Sequence, residues 1–289
     1  MGTIAGVTIH PAAPTGAPGP VPSDGPSERL REVLADLGPV VVAFSGGVDS
    51  ALLAHAALEV LGPERVLAVT ADSASLATGE LEHCHELATR WGLPWSAART
   101  SELDDPRYVA NDGDRCARCK DALMDVLLPV AAERGSTVAL GVNVDDLGDH
   151  RPGQDAARAR GAAFPLVRAG LDKAAVRAEA RRRGLPVWDR PAHPCLSSRI
   201  PYGTPVTVPL LSRIDRAEAA VRARGFRDVR VRHHGDTARI EVPAARLADA
   251  ALVAAHLVHD LQELGYRYVT LDLAGLRSGN LNAALHDGR

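Results

Sequence analysis

The sequence is poor in cysteine, in aromatic residues and in lysine. Its 289 residues include 4 Cys, 3 Trp and 2 Met, and aromatic residues make up 3%. So few cysteines in so long a chain do not form the disulfide framework of a small secreted protein; in a reducing compartment such spacing more often indicates metal, cluster or redox chemistry. Lysine occurs only at Lys120 and Lys173, so nearly all positive charge is arginine.

A strong charge imbalance and long apolar runs are also missing. The 33 basic and 36 acidic residues give a net charge of −3, so no broad basic surface for nucleic acid or anionic lipid is indicated. No run of about 18 apolar residues occurs, and residues 1–27 lack the basic start and apolar stretch of a signal peptide. The sequence therefore predicts a cytoplasmic protein without a membrane segment, and nucleic acid is not an expected partner.

The composition divides the chain into a tail and a first domain. Residues 1–26 are rich in Pro, Gly, Ala and Thr without periodicity, which predicts a disordered tail. Over residues 27–192, short apolar runs alternate with helical patterns. Such alternation predicts an α/β fold with a doubly wound parallel sheet. The predicted strands are 39–44, 65–71 and 137–141, and the predicted helices are 27–37, 51–61 and 80–91.

A second, smaller domain is predicted over residues 193–289. The Pro-rich stretch 188–202 marks the change, and the boundary is placed at 190–200. The elements after it favour an α+β domain with a mostly antiparallel sheet. They are a helix over 210–224, strands over 229–233 and 237–242, a helix over 244–264 and a strand over 268–273.

The most specific motif runs from Ser45 to Ser50, with the sequence Ser-Gly-Gly-Val-Asp-Ser, between a predicted strand and a predicted helix. Its two glycines allow a sharp turn and close approach to an anion, and the helix offers free N–H groups and the positive end of its dipole. Both serines can donate hydrogen bonds, and Asp49 can hold Mg²⁺ against phosphate oxygens. The motif lacks the Gly-Lys-Ser/Thr ending of a Walker loop, which argues against γ-phosphate transfer. A plain strand-to-helix turn is the alternative interpretation.

This loop resembles that of the PP-loop ATP pyrophosphatases. The resemblance covers about residues 37–190 and implies that a substrate oxygen attacks the α-phosphate of ATP, giving an adenylated intermediate and free pyrophosphate. The nucleotide-binding residues that it implies are Ala43, Ser45, Gly46, Gly47, Asp49 and Ser50.

Three of the four cysteines suggest a metal or cluster site. Cys116 and Cys119 form a CxxC pair, and Cys195 lies further along the chain. Three thiolates are one short of a closed tetrahedral site, which leaves a position for water, substrate or sulfide. A zinc site completed by a histidine such as His193 is the alternative, because CxxC suits zinc as well as iron–sulfur. Cys84 is interpreted as a structural or incidental thiol.

Several further strings, taken with the loop, resemble the LarE family of ATP-dependent sacrificial sulfur transferases. The resemblance covers nearly the whole chain beyond the tail. The strings lie at 148–153, 195–203, 229–232, 238–243 and 265–273.

The family resemblance implies a sulfur transfer. ATP adenylates a carboxylate of pyridinium-3,5-biscarboxylic acid mononucleotide, a protein-held sulfur displaces AMP, and the thiocarboxylate product serves the nickel-pincer nucleotide cofactor of lactate racemase. One branch sacrifices a lone cysteine, whose position falls at Pro194 here, and the other holds a [4Fe-4S] cluster on three cysteines. With Cys116, Cys119 and Cys195, this chain resembles the cluster branch. The family also implies a homo-oligomer, a hexamer.

The resemblance also assigns roles to individual residues. Asp49 and the three cysteines are the implied catalytic group. Arg230 and Arg232, two apart on a predicted strand, share a face suited to a phosphorylated, carboxylated substrate, unless they are only solvated arginines. Ser198 and Arg199 are implied contacts of the nucleotide phosphate. Asp149 and Arg151 are implied near the nucleotide. The carboxylates implied to line the substrate or a metal, each otherwise a surface charge, are Glu218, Glu241 and Asp249.

Three other functions compete with this one. An amidotransferase-type PP-loop ligase is one of them, but no glutaminase domain is evident in the sequence. A PP-loop tRNA thiolase also pairs such a loop with three cysteines, but binding a large polyanion calls for many basic contacts, and the net charge of −3 counts against it. A non-catalytic ATP-binding module predicts nucleotide binding without pyrophosphate release, and it offers no account of the three cysteines.

Overall fold

The structure is a computed structural model that describes residues 2–4, 7–9, 25–147 and 152–277. It divides into two compact units. The first contains the described residues up to 73, residues 79–102 and residues 116–193; the second contains residues 74–78, 103–115 and the chain from Pro194 onward. Segments 74–78 and 103–115 precede Pro194 in the chain but belong to the second unit. In the described part of the chain, no helix is long and apolar enough to cross a membrane.

The first unit is built on a four-stranded parallel sheet, which confirms the predicted doubly wound α/β fold. The strands follow one another in the order β5-β4-β3-β6. The short apolar runs form these strands because both sheet faces are covered by helices. The strands are β3 (Val40–Ala43), β4 (Val66–Asp72), β5 (Trp95–Arg99) and β6 (Thr137–Leu140).

Helices cover both faces of this sheet. Val40 and Val42 point into one core with Leu30 and Leu52, whereas Val41 points into the opposite core. This alternation follows from the two-residue period of a strand. The helices of the first core are α1 (Pro26–Leu37), α2 (Val48–Leu61), α3 (Glu80–Trp91), α7 (Pro165–Arg168) and α8 (Lys173–Arg182). Those of the opposite core are α5 (Arg115–Glu133) and α6 (Pro152–Ala159).

A buried ionic cluster joins α1, α2 and α8. Glu179 accepts a hydrogen bond from Ser27 Oγ at 2.9 Å and from Arg183 Nε at 2.5 Å. Arg183 also pairs with Glu59. Burial opposes the ionisation of Glu179, but hydrogen bonds from Arg182 and Arg183 outweigh it and lower its pKa. The cluster therefore keeps its charges by mutual compensation.

Part of the predicted disordered tail is folded. Residues Gly2–Ile4 (β1) and Val7–Ile9 (β2) pair as antiparallel strands. Both are rich in β-branched residues, which favour strands, although the composition of the whole segment predicts a tail. Residues 10–24 lie outside the described part of the chain.

The second unit contains a smaller, mixed sheet. Strand β8 (Thr237–Glu241) lies between β7 (Arg230–His234) and β9 (Tyr268–Leu271), antiparallel to β7 and parallel to β9. The prediction of a mostly antiparallel sheet was therefore wrong for β9. The chain runs through helices between β8 and β9 and returns in the same direction, which a parallel pair requires.

The described part of the second unit also contains four α-helices, of which the short helix α4 (Pro106–Ala110) lies in segment 103–115. Helix α9 (Val208–Ala223) packs on the sheet through Ala217 and Val221. The single helix predicted over 244–264 is wrong, because α10 (Leu247–Leu252) and α11 (Ala254–Gln262) are separated at Val253, whose ψ of 15° leaves the helical region. Ala250, Leu257 and Leu261 keep helical spacing across the break, so the apolar pattern alone does not reveal it.

Candidate nucleotide site and candidate substrate site

The glycine-rich loop connects β3 to α2 in the first unit. Helix α2 begins at Val48, with Gly47 as the N-cap residue, rather than at residue 51 as predicted. Asp49 and Ser50 therefore belong to the first turn of the helix. The sequence places the start too late because a Gly-Gly pair lowers helix propensity, whereas glycine is well tolerated at an N-cap.

Hydroxyl groups fold the loop on itself. Ser50 Oγ donates to the Gly47 carbonyl at 3.1 Å and accepts the Ser45 N–H at 3.2 Å, and the two serine hydroxyls lie 3.1 Å apart. Gly46 has a φ of 68°, in the left-handed region. A Cβ there would lie 2.9 Å from His83 Cδ2 and 3.0 Å from Cys84 Sγ. Glycine is therefore required at position 46 both by backbone conformation and by space.

Asp49 is held by two residues that the sequence analysis did not single out. Its Oδ1 accepts a hydrogen bond from Asn143 Nδ2 at 2.9 Å, and its Oδ2 pairs with Lys173 Nζ. Lys173 is the first residue of α8, and its N–H donates to Asp145 Oδ2 at 3.0 Å. A lysine from a distant helix thus reaches a loop that has no Walker lysine of its own.

The sheet order explains why these residues meet. Strands β3 and β6 are parallel neighbours, so the loop after β3 and residues 141–147 after β6 leave the sheet at the same edge. The chain order reverses between these two strands, and ligands of doubly wound sheets bind at such a switch point. A Cβ at Gly141 would lie 2.7 Å from Ser50 N, which shows how closely β6 approaches α2.

Two signals could have pointed to these residues. Lys173 is one of only two lysines in the chain. Asn143 follows a predicted buried strand by two residues, at the edge where ligands bind in such folds. Of the other implied nucleotide contacts, Ala43 ends β3, whereas Asp149 and Arg151 lie outside the described residues.

Cys116 and Cys119 are the second and fifth residues of α5, three residues apart and therefore on neighbouring parts of one helix face. Cys116 is exposed and Cys119 is half-buried. Thiolates are the ligands that zinc and iron–sulfur clusters take from cysteine. The donor chemistry of this pair fits two ligands of a cluster. Within residues 25–147 and 152–277, no group of three or more His, Cys, Asp or Glu side chains is arranged to hold a metal ion.

The other two cysteines differ in environment. Cys195 is half-buried and precedes a 3₁₀ turn, Leu196–Arg199, in the second unit. Cys84 is buried in α3, where burial raises the pKa of its thiol to about 11. A thiol with so high a pKa is a poor nucleophile at neutral pH, in keeping with the structural role predicted for it.

In the second unit, Ser198 is held by two buried arginines. Arg199 Nη1 donates to Ser198 Oγ at 2.9 Å, and Arg232 Nη1 donates to its carbonyl at 2.8 Å. Glu218 accepts from Arg199 at 2.7 and 3.2 Å, and Glu241 accepts from Arg232 at 3.0 and 3.1 Å. Both glutamates have no exposed surface. They are therefore buried counterions rather than the surface charges of the alternative interpretation.

Arg230 and Arg232 lie on one face of β7, as predicted from their spacing. Their exposed fractions are only 7% and 4%, so the alternative of solvated strand arginines is wrong. Burial, with the nearby charges of Arg199 and Arg232, lowers the pKa of Arg230, whose Nη1 donates to the Arg277 carbonyl at 2.9 Å. Asp249 lies in α10 with an exposed carboxylate that accepts from Arg246 at 2.6 Å.

Comparison with known proteins supports this architecture. A family model of NAD synthase matches residues 28–111. The pyridinium-3,5-bisthiocarboxylic acid mononucleotide synthase of Lactiplantibacillus plantarum is 40% identical over 257 residues, which cover 89% of this chain and 93% of that protein. An uncharacterized protein of Synechocystis, slr1717, is 44% identical over 263 residues, covering 89% and 97%. The tRNA(Ile)-lysidine synthase of Burkholderia mallei is 34% identical over 116 residues, covering 39% and 23%.

The loop, its place at the switch point and these matches define a PP-loop α/β enzyme. Of the named relatives above, the Lactiplantibacillus synthase matches over both units rather than over the loop region alone. The chain belongs to the pyridinium-3,5-bisthiocarboxylic acid mononucleotide synthase family, also called LarE.

Proposed function

We propose that this enzyme uses ATP to adenylate a carboxylate of pyridinium-3,5-biscarboxylic acid mononucleotide, releases pyrophosphate, and replaces AMP with sulfur to give the thiocarboxylate. The observation that carries this proposal is the 40% identity to the Lactiplantibacillus synthase over both units. The glycine-rich loop at the switch point supports it, because the loop offers backbone donors and a helix N-terminus to pyrophosphate. A carboxylate is a poor electrophile, whereas its acyl-adenylate has a good leaving group.

In the first unit, Asp49 and Lys173 prepare the loop for a charged ligand. We expect Asp49 to hold Mg²⁺ with phosphate oxygens, since a carboxylate is a suitable ligand for this hard cation. Lys173 pairs with Asp49 and neutralises its carboxylate. The Lys173 ammonium, placed beside the loop by this pair, would stabilise the negative charge of the leaving pyrophosphate.

In the second unit, we expect the substrate phosphate to bind at Ser198. Its hydroxyl and carbonyl are fixed by Arg199 and Arg232, which are themselves neutralised by Glu218 and Glu241. Arg230 projects from the same strand face and supplies a further positive charge. Asp249 is expected at this site by family resemblance alone.

For the sulfur, we propose that Cys116, Cys119 and Cys195 hold a [4Fe-4S] cluster, with zinc as the alternative metal. When bound, such a cluster can present a sulfide at the iron that no cysteine occupies. This chain would contribute three thiolates, two of them from the start of α5 and one from Cys195. We further propose a cytoplasmic homo-oligomer, a hexamer by family resemblance. The exposed Leu252, Leu273 and Tyr268 of the second unit support self-association.

The test uses anaerobically purified protein with ATP, Mg²⁺ and the pyridinium dicarboxylate mononucleotide. Pyrophosphate is quantified, the thiocarboxylate product is identified by its mass, and the iron and acid-labile sulfide of the protein are measured. We expect Cys195→Ser to release about one equivalent of pyrophosphate and to form no thiocarboxylate. Cys84→Ala is the matched control and should form product.

Each component of the proposal has its own negative result. Absence of pyrophosphate under every redox condition would contradict the adenylation, and zinc in place of iron would contradict the cluster. Sulfur transfer to tRNA instead of the mononucleotide would favour a tRNA thiolase.

A further inference from the structure

Two side chains converge on one backbone carbonyl of the glycine-rich loop. The Gly46 oxygen accepts a hydrogen bond from Arg190 Nη1 at 3.2 Å, and His83 Nε2 lies 3.4 Å from it. Burial and the charge of Arg190 lower the pKa of His83, so its ring is neutral at pH 7 and donates as the Nε2–H tautomer. These contacts lie on the side of the loop that faces α3.

Arg190 is itself fixed by its surroundings. Its Nη2 donates to Glu80 Oε1 at 2.7 Å, and the side chains of Arg190 and Glu80 are only 19% and 14% exposed. Its own carbonyl accepts from Arg177 Nη2 at 3.2 Å. A partly buried, charge-assisted hydrogen bond of this kind holds the guanidinium in one direction.

The peptide unit that these residues hold needs such support. It joins Gly46 to Gly47, and a peptide unit between two glycines can flip as a whole, by rotation about the Cα bonds on either side, at little steric cost. Because a trans peptide is planar, its C=O and N–H point in opposite directions. With the Gly46 carbonyl directed at Arg190 and His83, the Gly47 N–H points away from α3, as an anion-binding loop requires.

We propose that Arg190, oriented by Glu80 and assisted by His83, is a positioning residue that locks the Gly46–Gly47 peptide so that the Gly47 N–H faces pyrophosphate. This inference rests on the proposed function, in which the loop binds the pyrophosphate of ATP. Arg190 acts through the carbonyl and does not itself touch the ligand.

The direct test measures binding of inorganic pyrophosphate in the presence of Mg²⁺ by isothermal titration calorimetry. We expect Arg190→Met to weaken binding about 10- to 100-fold, the range for loss of a charge-assisted hydrogen bond. Arg190→Lys keeps the charge and one donor at a time, so it should recover part of the affinity. Arg181→Met is the matched control, because the Arg181 guanidinium of α8 stacks on the ring of Trp188, at 4.8 Å from its centroid.

Kinetics separate positioning from a merely structural role. In pyrophosphate release, Arg190→Met should lower kcat more than it raises KM for ATP, because a donor aimed at developing charge acts most strongly in the transition state. A structural defect would instead reduce the folded fraction and leave kcat and KM per folded molecule unchanged. Circular dichroism and the melting temperature report the folded fraction.

The outcomes are distinct. If wild-type protein binds no pyrophosphate and releases none, the proposed function fails. If wild-type protein binds pyrophosphate and folded Arg190→Met binds it equally well, the positioning role is wrong. Should Arg190→Met not fold, Glu80→Gln keeps a neutral acceptor for Arg190, and about 3-fold weaker binding is expected; unchanged binding would overturn the inference.

Discussion

The candidate sites of the two units differ in the groups that carry their positive charge. In the first unit, the proposed anion site consists mainly of backbone: two glycines, the first turn of α2 and one ion pair, Asp49 with Lys173. In the second unit, the corresponding groups are buried arginines, two of which bind glutamates with no exposed surface. The first arrangement depends on the position of peptide groups, and the second on charges that must remain compensated.

This difference determines what substitutions do. In a site made of backbone, the few functional side chains are partly exposed. We therefore expect their substitution to reduce activity with little loss of stability. A buried ion pair is destabilising when one partner is lost, because the other charge remains uncompensated in the interior. The three predictions below test this contrast.

The largest effect is expected for Asp49→Ala in the first unit. Loss of the carboxylate removes the predicted Mg²⁺ ligand, and pyrophosphate release should fall about 10³-fold, the upper range for losing one preorganised electrostatic contact. The melting temperature should change little, because Asp49 is at the edge of the core. Asp36→Ala, an exposed carboxylate of α1, serves as control. Undiminished release would remove Asp49 from the metal role.

A stability loss is expected for Glu218→Gln in the second unit. Arg199 would remain buried without a full counter-charge, so the free energy of unfolding should fall by about 3 kcal/mol, measured by urea denaturation. The double variant Arg199→Met/Glu218→Gln should recover most of this loss, since glutamine still accepts the Val231 N–H. Recovery of stability without recovery of thiocarboxylate formation would show that the pair is needed for activity as well as for folding.

Two results would contradict the roles assigned to Glu218 and Arg199. If Glu218→Gln is as stable as the wild type, the pair is not a structural counterion. If the double variant is fully active, Arg199 is not needed at the substrate site. Glu82→Gln, which removes an exposed carboxylate from α3, controls for loss of charge alone.

The smallest effect concerns pH and a buried histidine of the first unit. Burial and the charge of Arg183 lower the pKa of His55 from 6.5 to about 4. Below pH 6.5 the unfolded chain therefore binds a proton that the folded chain excludes, so stability falls as pH falls from 6.5 to 4. The slope from this group approaches about 1 kcal/mol per pH unit.

His55→Leu removes this titration and should flatten the unfolding free energy between pH 4 and 6.5 relative to the wild type. The pyrophosphate release of folded protein at pH 7 should be unchanged, because His55 is neutral there. Equal slopes for the two proteins would show that His55 does not carry the proton. The comparison tests whether a buried neutral histidine in the first unit affects stability without affecting the loop.

Local patterns predicted much of the first unit. The helix predicted over 80–91 is α3, and the runs at 39–44 and 65–71 contain β3 and β4. These elements are detectable because continuous apolar runs and helical spacing are properties of neighbouring residues. Helix α5 and strand β5 were not predicted, although both contribute to the core of this unit.

Contacts over long separations were not predictable in this way. Asp49 meets Asn143 and Lys173 across 94 and 124 residues. Glu218 contacts Arg199 across 19 residues. Whether such charged side chains are solvated or buried is decided only when the helices and strands pack together. The assignment of residues 103–115 to the second unit likewise depends on contacts with distant segments, such as Asn111 with Pro201.

Local sequence was sufficient to predict the glycine-rich loop, the alternation of strands and helices around it, and the family that the chain resembles. These follow from backbone preferences and short-range periodicity, which a linear chain contains. Only the tertiary structure decided that a lysine from α8 would neutralise Asp49, that Arg190 would hold the Gly46 carbonyl, and that Glu218 and Glu241 would be buried counterions. Electrostatic interactions depend on distance and burial, and both are set when distant segments pack together.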